Sequence, residues 1–207
     1  MKPIYQFYFV LDNVVIQSLS RTIINSIKDR KTFSDSNVRR NLYIWEDKYF
    51  SGKLSKEEFI NNIGKIPNLN MNAEEIKSDI IGKQKFIKGI IDILKELKEQ
   101  YSLFLYSQYP PDDLLDVFSR LKAEDIFSES RILYSQKIGL SDNKSNLFNK
   151  LISDESITPG TSIWIDSNPR RTSASIRAGI DSIIFVDSKR LRREIALRGL
   201  LPLLGDE

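Results

Sequence analysis

Neither cysteine nor histidine occurs anywhere in the chain. Their absence excludes disulfides, thiolate zinc sites, cysteine nucleophiles and histidine general bases. Acid–base chemistry would have to run on carboxylates, lysine or tyrosine, and a metal would have to be a hard, oxygen-liganded ion such as Mg²⁺. A charge of one sign is also missing, since 31 basic residues face 28 acidic ones for a formal net charge of +3. Duplex binding calls for a concentrated basic face, which so small an excess does not supply, so no nucleic-acid partner is expected. Long apolar runs are absent as well. The stretch from Ile4 to Ile16 is interrupted by Gln6, Asp12 and Asn13, too short and too broken for a membrane span, and no small-residue cleavage site follows it. A cytoplasmic protein without membrane contact is expected.

What is present is an apolar fraction of 41% over 207 residues, enough for a core. The length suggests one domain plus a sizeable insertion. Ile4 to Ile16, rich in Tyr, Phe, Val and Ile, reads as a buried strand followed by a turn at Asp12-Asn13. From Gln17 to about Lys85, apolar residues recur at helical spacing (Ile23, Ile24, Ile27; Tyr43, Ile44, Trp45, Tyr49), with breaks at Ser51-Gly52 and near Pro67. Several short helices are predicted there, one of them capped by Ser55 with Glu57 and Glu58 in its first turn.

Strands and helices then alternate. A helix is expected over 87–100 with Ile90, Ile91, Leu94 and Leu97 on one face, and a strand over 101–106. A helix opened by Pro110-Pro111-Asp112-Asp113 should run to Leu121. Strands over 132–135, 162–165 and 182–186 follow, separated by helices over 145–153 and 170–178, with a closing helix over 189–200. Such alternation predicts an α/β fold, a doubly wound parallel sheet with helices on both faces. Its ligand crevice should lie at the carboxyl ends of the strands, where Asp12-Asn13, Ser107-Gln108 and Asp166-Ser167-Asn168 fall.

The strand-end clusters resemble those of the haloacid dehalogenase (HAD) superfamily. Phe9-Val10-Leu11-Asp12-Asn13-Val14-Val15 is similar to that family's first motif, a strand ending Asp-x-Asp, except that Val10 stands where the nucleophilic aspartate belongs. Asp12 then matches the second aspartate, the general acid and base. The alternative register, with Asp12 first and Val14 second, fits the following residues worse. Leu103 to Ser107 resembles the second motif, with Ser107 in the phosphate-binding position and Gln108 after it. Gly139-Leu140-Ser141-Asp142-Asn143-Lys144 resembles the third, but Asp142 occupies the lysine position; Lys144, two residues on, could swing in to bind phosphate in its place. Ile163-Trp164-Ile165-Asp166-Ser167 resembles the fourth, which makes Asp166 the Mg²⁺ ligand beside Asp12, and Ala174 to Ile180 matches the helix and turn that follow. The resemblance implies a HAD-like Rossmannoid core (1–16 and 86–207) with an inserted helical cap (17–85), whose Trp45, Tyr49, Gly52 and Phe59 are similar to caps of the first type.

What the resemblance implies for activity is loss. The family reaction needs an aspartate that attacks phosphorus and helps hold the metal, and valine offers neither an electron pair nor a ligand. Losing a covalent nucleophile costs on the order of 10⁶ in rate, and a residual base such as Asp12 is worth only about 10²–10⁴. Asp12, Asp142 and Asp166 would also repel a phosphate dianion, by roughly 4 kcal/mol per charge pair at ~4 Å and an effective dielectric near 20. The expectation is a protein that binds a partner, a second copy of itself or a small phosphorylated ligand, with Mg²⁺ binding weak or absent. The alternative is a Mg²⁺-dependent hydrolase using Asp12 and Asp166. Taken alone, Asp12 reads as a turn residue, Asp166 as a helix cap and Ser107 as a loop hydroxyl. In the run Lys189-Arg190-Leu191-Arg192-Arg193, Leu191 with Ile195 and Leu197 marks an inward face and the bases form a solvated one.

Overall fold

The computed structural model describes residues 5–26, 36–67, 71–138 and 146–202. Strand β1 (Gln6–Val10) lies at the centre of a five-stranded sheet. It pairs in parallel with β2 (Ser102–Ser107) on one side and β4 (Ser162–Asp166) on the other. The edges are β3 (Ile132–Tyr134) and β5 (Asp181–Ile184), giving the order β3-β2-β1-β4-β5, all parallel. A central parallel strand must be apolar on both faces, and Phe7, Tyr8, Phe9 and Val10 are all buried accordingly. β4 behaves likewise, with every residue from Ser162 to Asp166 buried.

Between β1 and β2 the chain forms α1 (Leu19–Ser26), α2 (Ser36–Phe50), α3 (Lys56–Gly64), a short turn at Ala73–Glu75, and α4 (Ile90–Lys98). α3 starts as its sequence requires. The Ser55 hydroxyl accepts from the Glu58 N–H, and the Glu58 carboxylate accepts from the Ser55 N–H. The chain leaves and rejoins the sheet layer at one neck, where Gln17 N–H donates to Lys85 C=O at 3.0 Å and Ile87 N–H to Val15 C=O at 2.9 Å. Lys56 at the start of α3 pairs with Asp113 in α5 (Pro111–Leu121), tying the insert to the strand layer. α6 (Leu147–Ser153) and α7 (Pro169–Arg177) complete the crossovers, and α8 (Ser188–Leu197) follows the last strand. Among the described residues no helix is long and apolar enough to cross a membrane.

Three details differ from the sequence reading. The buried face of α4 is Ile90, Ile93, Leu94 and Leu97, with Ile91 half-buried: the helix is rotated so that Ile93 points inward. The closing helix ends at Leu197, because Gly199 adopts a left-handed φ of 70° and Leu200 N–H turns back onto Ile195 C=O. Within it Leu191 and Ile195 face inward at four-residue spacing, whereas Leu197, two residues on and so across the helix, is 65% exposed.

The core beneath the site is aromatic. Trp164 is fully buried and contacts Tyr8, Tyr106 and Phe148, the last edge-on with ring centroids 5.0 Å apart. Replacing it empties the largest side-chain volume in the sheet. Trp164→Ala should therefore lower the unfolding free energy by about 3–5 kcal/mol, read as a shift of the urea midpoint; a loss under about 1 kcal/mol would show that the site collapses around it.

Candidate functional site

At the carboxyl edge of the sheet, β1, β2 and β4 end side by side and leave a crevice of about 250 Å³. The turn after β1 supplies Asp12 and Asn13, with Ser18 behind them. α2 of the insert lays Tyr43, Glu46, Asp47 and Phe50 across the opening. Gln108 comes from the end of β2, and Ser167, Asn168 and Arg171 from the end of β4. Asn13 takes a left-handed φ of 58°, a conformation asparagine tolerates better than most residues, and this tight turn places Asp12 at the crevice floor.

Val10, the last residue of β1, is 1% exposed and pairs in register with Tyr106 of β2. It packs into the core, and its position offers the crevice no carboxylate. Asp12 does reach the crevice and is itself buried. Beside it lies the Tyr109 phenol, whose ionisation is pushed far up, first by burial and then by the charges of Asp12 and Glu46. Gln84 Nε2 donates to the Tyr109 oxygen. Ser107 is fully buried, and its hydroxyl accepts from Tyr109 N–H at 3.1 Å, the work of a loop hydroxyl. Gln108 lines the crevice. Lys144 and Asp142 lie outside the described residues.

Asp166 is 0% exposed and is wholly engaged. Its Oδ1 accepts from Asn168 N–H at 2.8 Å and from Arg171 Nη2 at 3.0 Å; its Oδ2 accepts from Trp164 Nε1 at 3.1 Å and from Arg171 Nε at 2.6 Å. A carboxylate has about four acceptor positions, and here each oxygen has two donors. The Arg171 guanidinium, in a bidentate grip on Asp166, also lies over the Tyr106 ring at 6.0 Å.

Val10 and Asp166 do not fit a Mg²⁺ ion. Such an ion needs oxygen ligands with accessible lone pairs. Val10 has none, Asp166 has spent its own on Arg171, Trp164 and Asn168, and the described residues contain no group of three or more acidic side chains placed to hold a metal.

Arg171, Glu46 and Tyr109 are among the residues of this site that went unnoticed in the sequence. Arg171 carried a signal: α7 opens with Arg170 and Arg171 and has no acidic residue in its first turn, although a helix N-terminus disfavours positive charge. Such a misplaced cation points to an anion nearby, here Asp166. Glu46 and Tyr109 gave no comparable signal, because only the tertiary fold brings the insert over the strand ends. Glu46 accepts from Ser20 N–H at 2.9 Å and from the Ser20 hydroxyl.

No protein-family model matches the chain, and no curated protein matches it significantly. Solved structures do. A HAD family enzyme from Bacteroides thetaiotaomicron superposes with a TM-score of 0.72 at 16% identity, over 94% of this chain and 99% of that one. The same enzyme has been solved in complex with magnesium and inorganic phosphate, which matches at 0.65 and 17% identity over 89% and 95% of the two chains. A HAD family hydrolase from Deinococcus radiodurans with bound phosphate and sodium gives 0.62 at 14% identity, over 99% and 100%. At such identities the likeness establishes the fold: this chain has the HAD-like α/β Rossmannoid architecture.

Burial raises the pKa of Glu46 above its ordinary 4.5, against the opposing pull of the Ser20 hydrogen bonds, and Asp47 adds to the rise. A carboxyl with a raised folded-state pKa stabilises the fold below its unfolded value, and that contribution is lost as pH rises through the folded value. Glu46→Gln should therefore gain stability relative to wild type as pH rises above 4.5. Urea midpoints of the two proteins across that range check this; a constant difference refutes it.

Proposed function

We propose that this protein is a HAD-fold chain that has lost phosphohydrolase activity and acts by binding, with residues 17–85 serving as the cap that shapes its crevice. The observation that carries the reading is Val10, buried at the end of the central strand where the fold's covalent chemistry would require a carboxylate. The charge of the crevice supports it. Asp12, Glu46 and Asp47 line the opening, and the one cation lining it among the described residues, Arg171, is paired with Asp166. A phosphate dianion entering there would meet the carboxylates of Asp12 and Asp47 first, each costing roughly 4 kcal/mol at ~4 Å and an effective dielectric near 20. Occupants that avoid this repulsion are a protein partner, a second copy of the chain, or a small ligand without a free dianion.

The competing reading is a Mg²⁺-dependent hydrolase in which Asp12 activates water. Asp12's place on the crevice floor favours it, as do the magnesium and phosphate held by the Bacteroides enzyme of like fold. Turnover of para-nitrophenyl phosphate in the presence of Mg²⁺ separates the two. The binding reading expects background hydrolysis, the same in wild type and in Asp12→Asn. Turnover in the ordinary enzymatic range of roughly 1–10³ s⁻¹ that Asp12→Asn abolishes would establish the hydrolase instead.

A further inference from the structure

We infer that the Arg171 guanidinium takes over the charge-balancing role of a divalent cation at the carboxyl end of β4, so that this crevice is assembled without metal. The inference rests on the reading of the crevice as a degenerate HAD site.

A buried carboxylate needs a compensating positive charge. Here the compensation comes from within the chain. Arg171 lies five residues after Asp166, in the first turn of α7, and the two side chains are 9% and 0% exposed. The planar fork of an arginine matches both oxygens of a carboxylate at once, and Nε and Nη2 do so at 2.6 and 3.0 Å. Arg171 is held at two further points. Its backbone N–H is capped by the Asn168 side chain at 3.4 Å, and its face lies against Tyr106. Trp164 Nε1 and Asn168 N–H take the two remaining acceptor positions of Asp166.

A divalent ion arriving at this carboxylate would have to displace the arginine from a buried, aromatic-backed seat and leave the guanidinium without its anion. Val10 supplies no second carboxylate to favour that exchange. The arrangement differs from an ordinary buried ion pair in one testable respect: emptied of arginine, Asp166 regains the open oxygens and uncompensated charge of a metal ligand.

The melting temperature of the full chain, in EDTA and in about 10 mM MgCl₂, reads this directly. Wild type should melt identically in the two buffers. Arg171→Ala should melt roughly 10 °C lower in EDTA, because it leaves a buried charge unpaired. MgCl₂ should recover part of that loss, and the recovery should vanish in the Arg171→Ala, Asp166→Asn double variant. A magnesium-dependent rise of several degrees in wild type that Asp166→Asn removes overturns the inference, as does a folded Arg171→Ala protein indifferent to magnesium. Should Arg171→Ala fail to fold, the wild-type comparison decides alone, indifference supporting the inference and a rise overturning it. Aryl phosphate turnover by wild type in EDTA would sink the binding reading and leave this inference standing; magnesium binding without turnover would do the reverse.

Discussion

The buried charge of Asp166 is the constraint around which the rest of the site is arranged. A carboxylate with no solvent contact is tolerated only when paired and fully hydrogen-bonded. The chain meets that demand with four donors drawn from β4, the turn after it and α7. Meeting it also decides what the site can do. Arg171 anchored to Asp166 fixes the start of α7 and so the edge of the crevice, and Trp164, held from below by the same carboxylate, fixes the aromatic layer under the central strand. Structural satisfaction and metal binding compete for the same lone pairs, and here the structure has taken them.

The insert sets the other wall, and its chemistry agrees with that of the sheet edge. α2 crosses the strand ends with Tyr43, Glu46, Asp47 and Phe50 toward the opening, and Glu46 is braced by Ser20 of α1. Burial holds the Glu46 carboxyl and the Tyr109 phenol toward their neutral forms, which lessens the mutual repulsion of acids gathered around Asp12. The crevice is thus built to keep several acidic groups close together, an arrangement opposite in sense to one that gathers cations around a phosphate.

Much of the fold was legible because its signals are local. The apolar runs of β1 and β4, the proline and acids opening α5 and the Ser55–Glu58 box all depend on residues within a few positions of one another, and each forms where its pattern indicates. Helix faces were less legible. Ile91 and Leu197 fit an apolar stripe by composition, yet small rotations of the helix turn Ile93 inward and Leu197 outward. At the site, the apolar residue closing β1 could be read directly, since one side chain at one strand end carries it. The Arg171–Asp166 pair could have been anticipated from two arginines at a helix start. The Glu46–Ser20 and Tyr109–Gln84 contacts join residues 26 and 25 positions apart, and no pattern in the chain marks them before the insert folds back over the sheet.

Polar residues persisting at the strand ends of a parallel sheet are weak testimony to catalysis, because the loops that follow such strands need them regardless. Backbone groups at these ends have lost their sheet partners and must be satisfied by nearby side chains. Ser107 does this for Tyr109 N–H, Asp166 for Asn168 N–H, and Asn168 in turn for the first N–H groups of α7. Asp12 begins a tight turn whose next residue, Asn13, donates its N–H to Ile16 C=O at 2.8 Å. Ser107, Asp166 and Asn168 therefore each have local work that explains their presence. Val10 is the informative exception. Buried at the end of the central strand, it packs into the core and caps no loop, the one strand-end position here whose residue has exchanged a polar role for an apolar one.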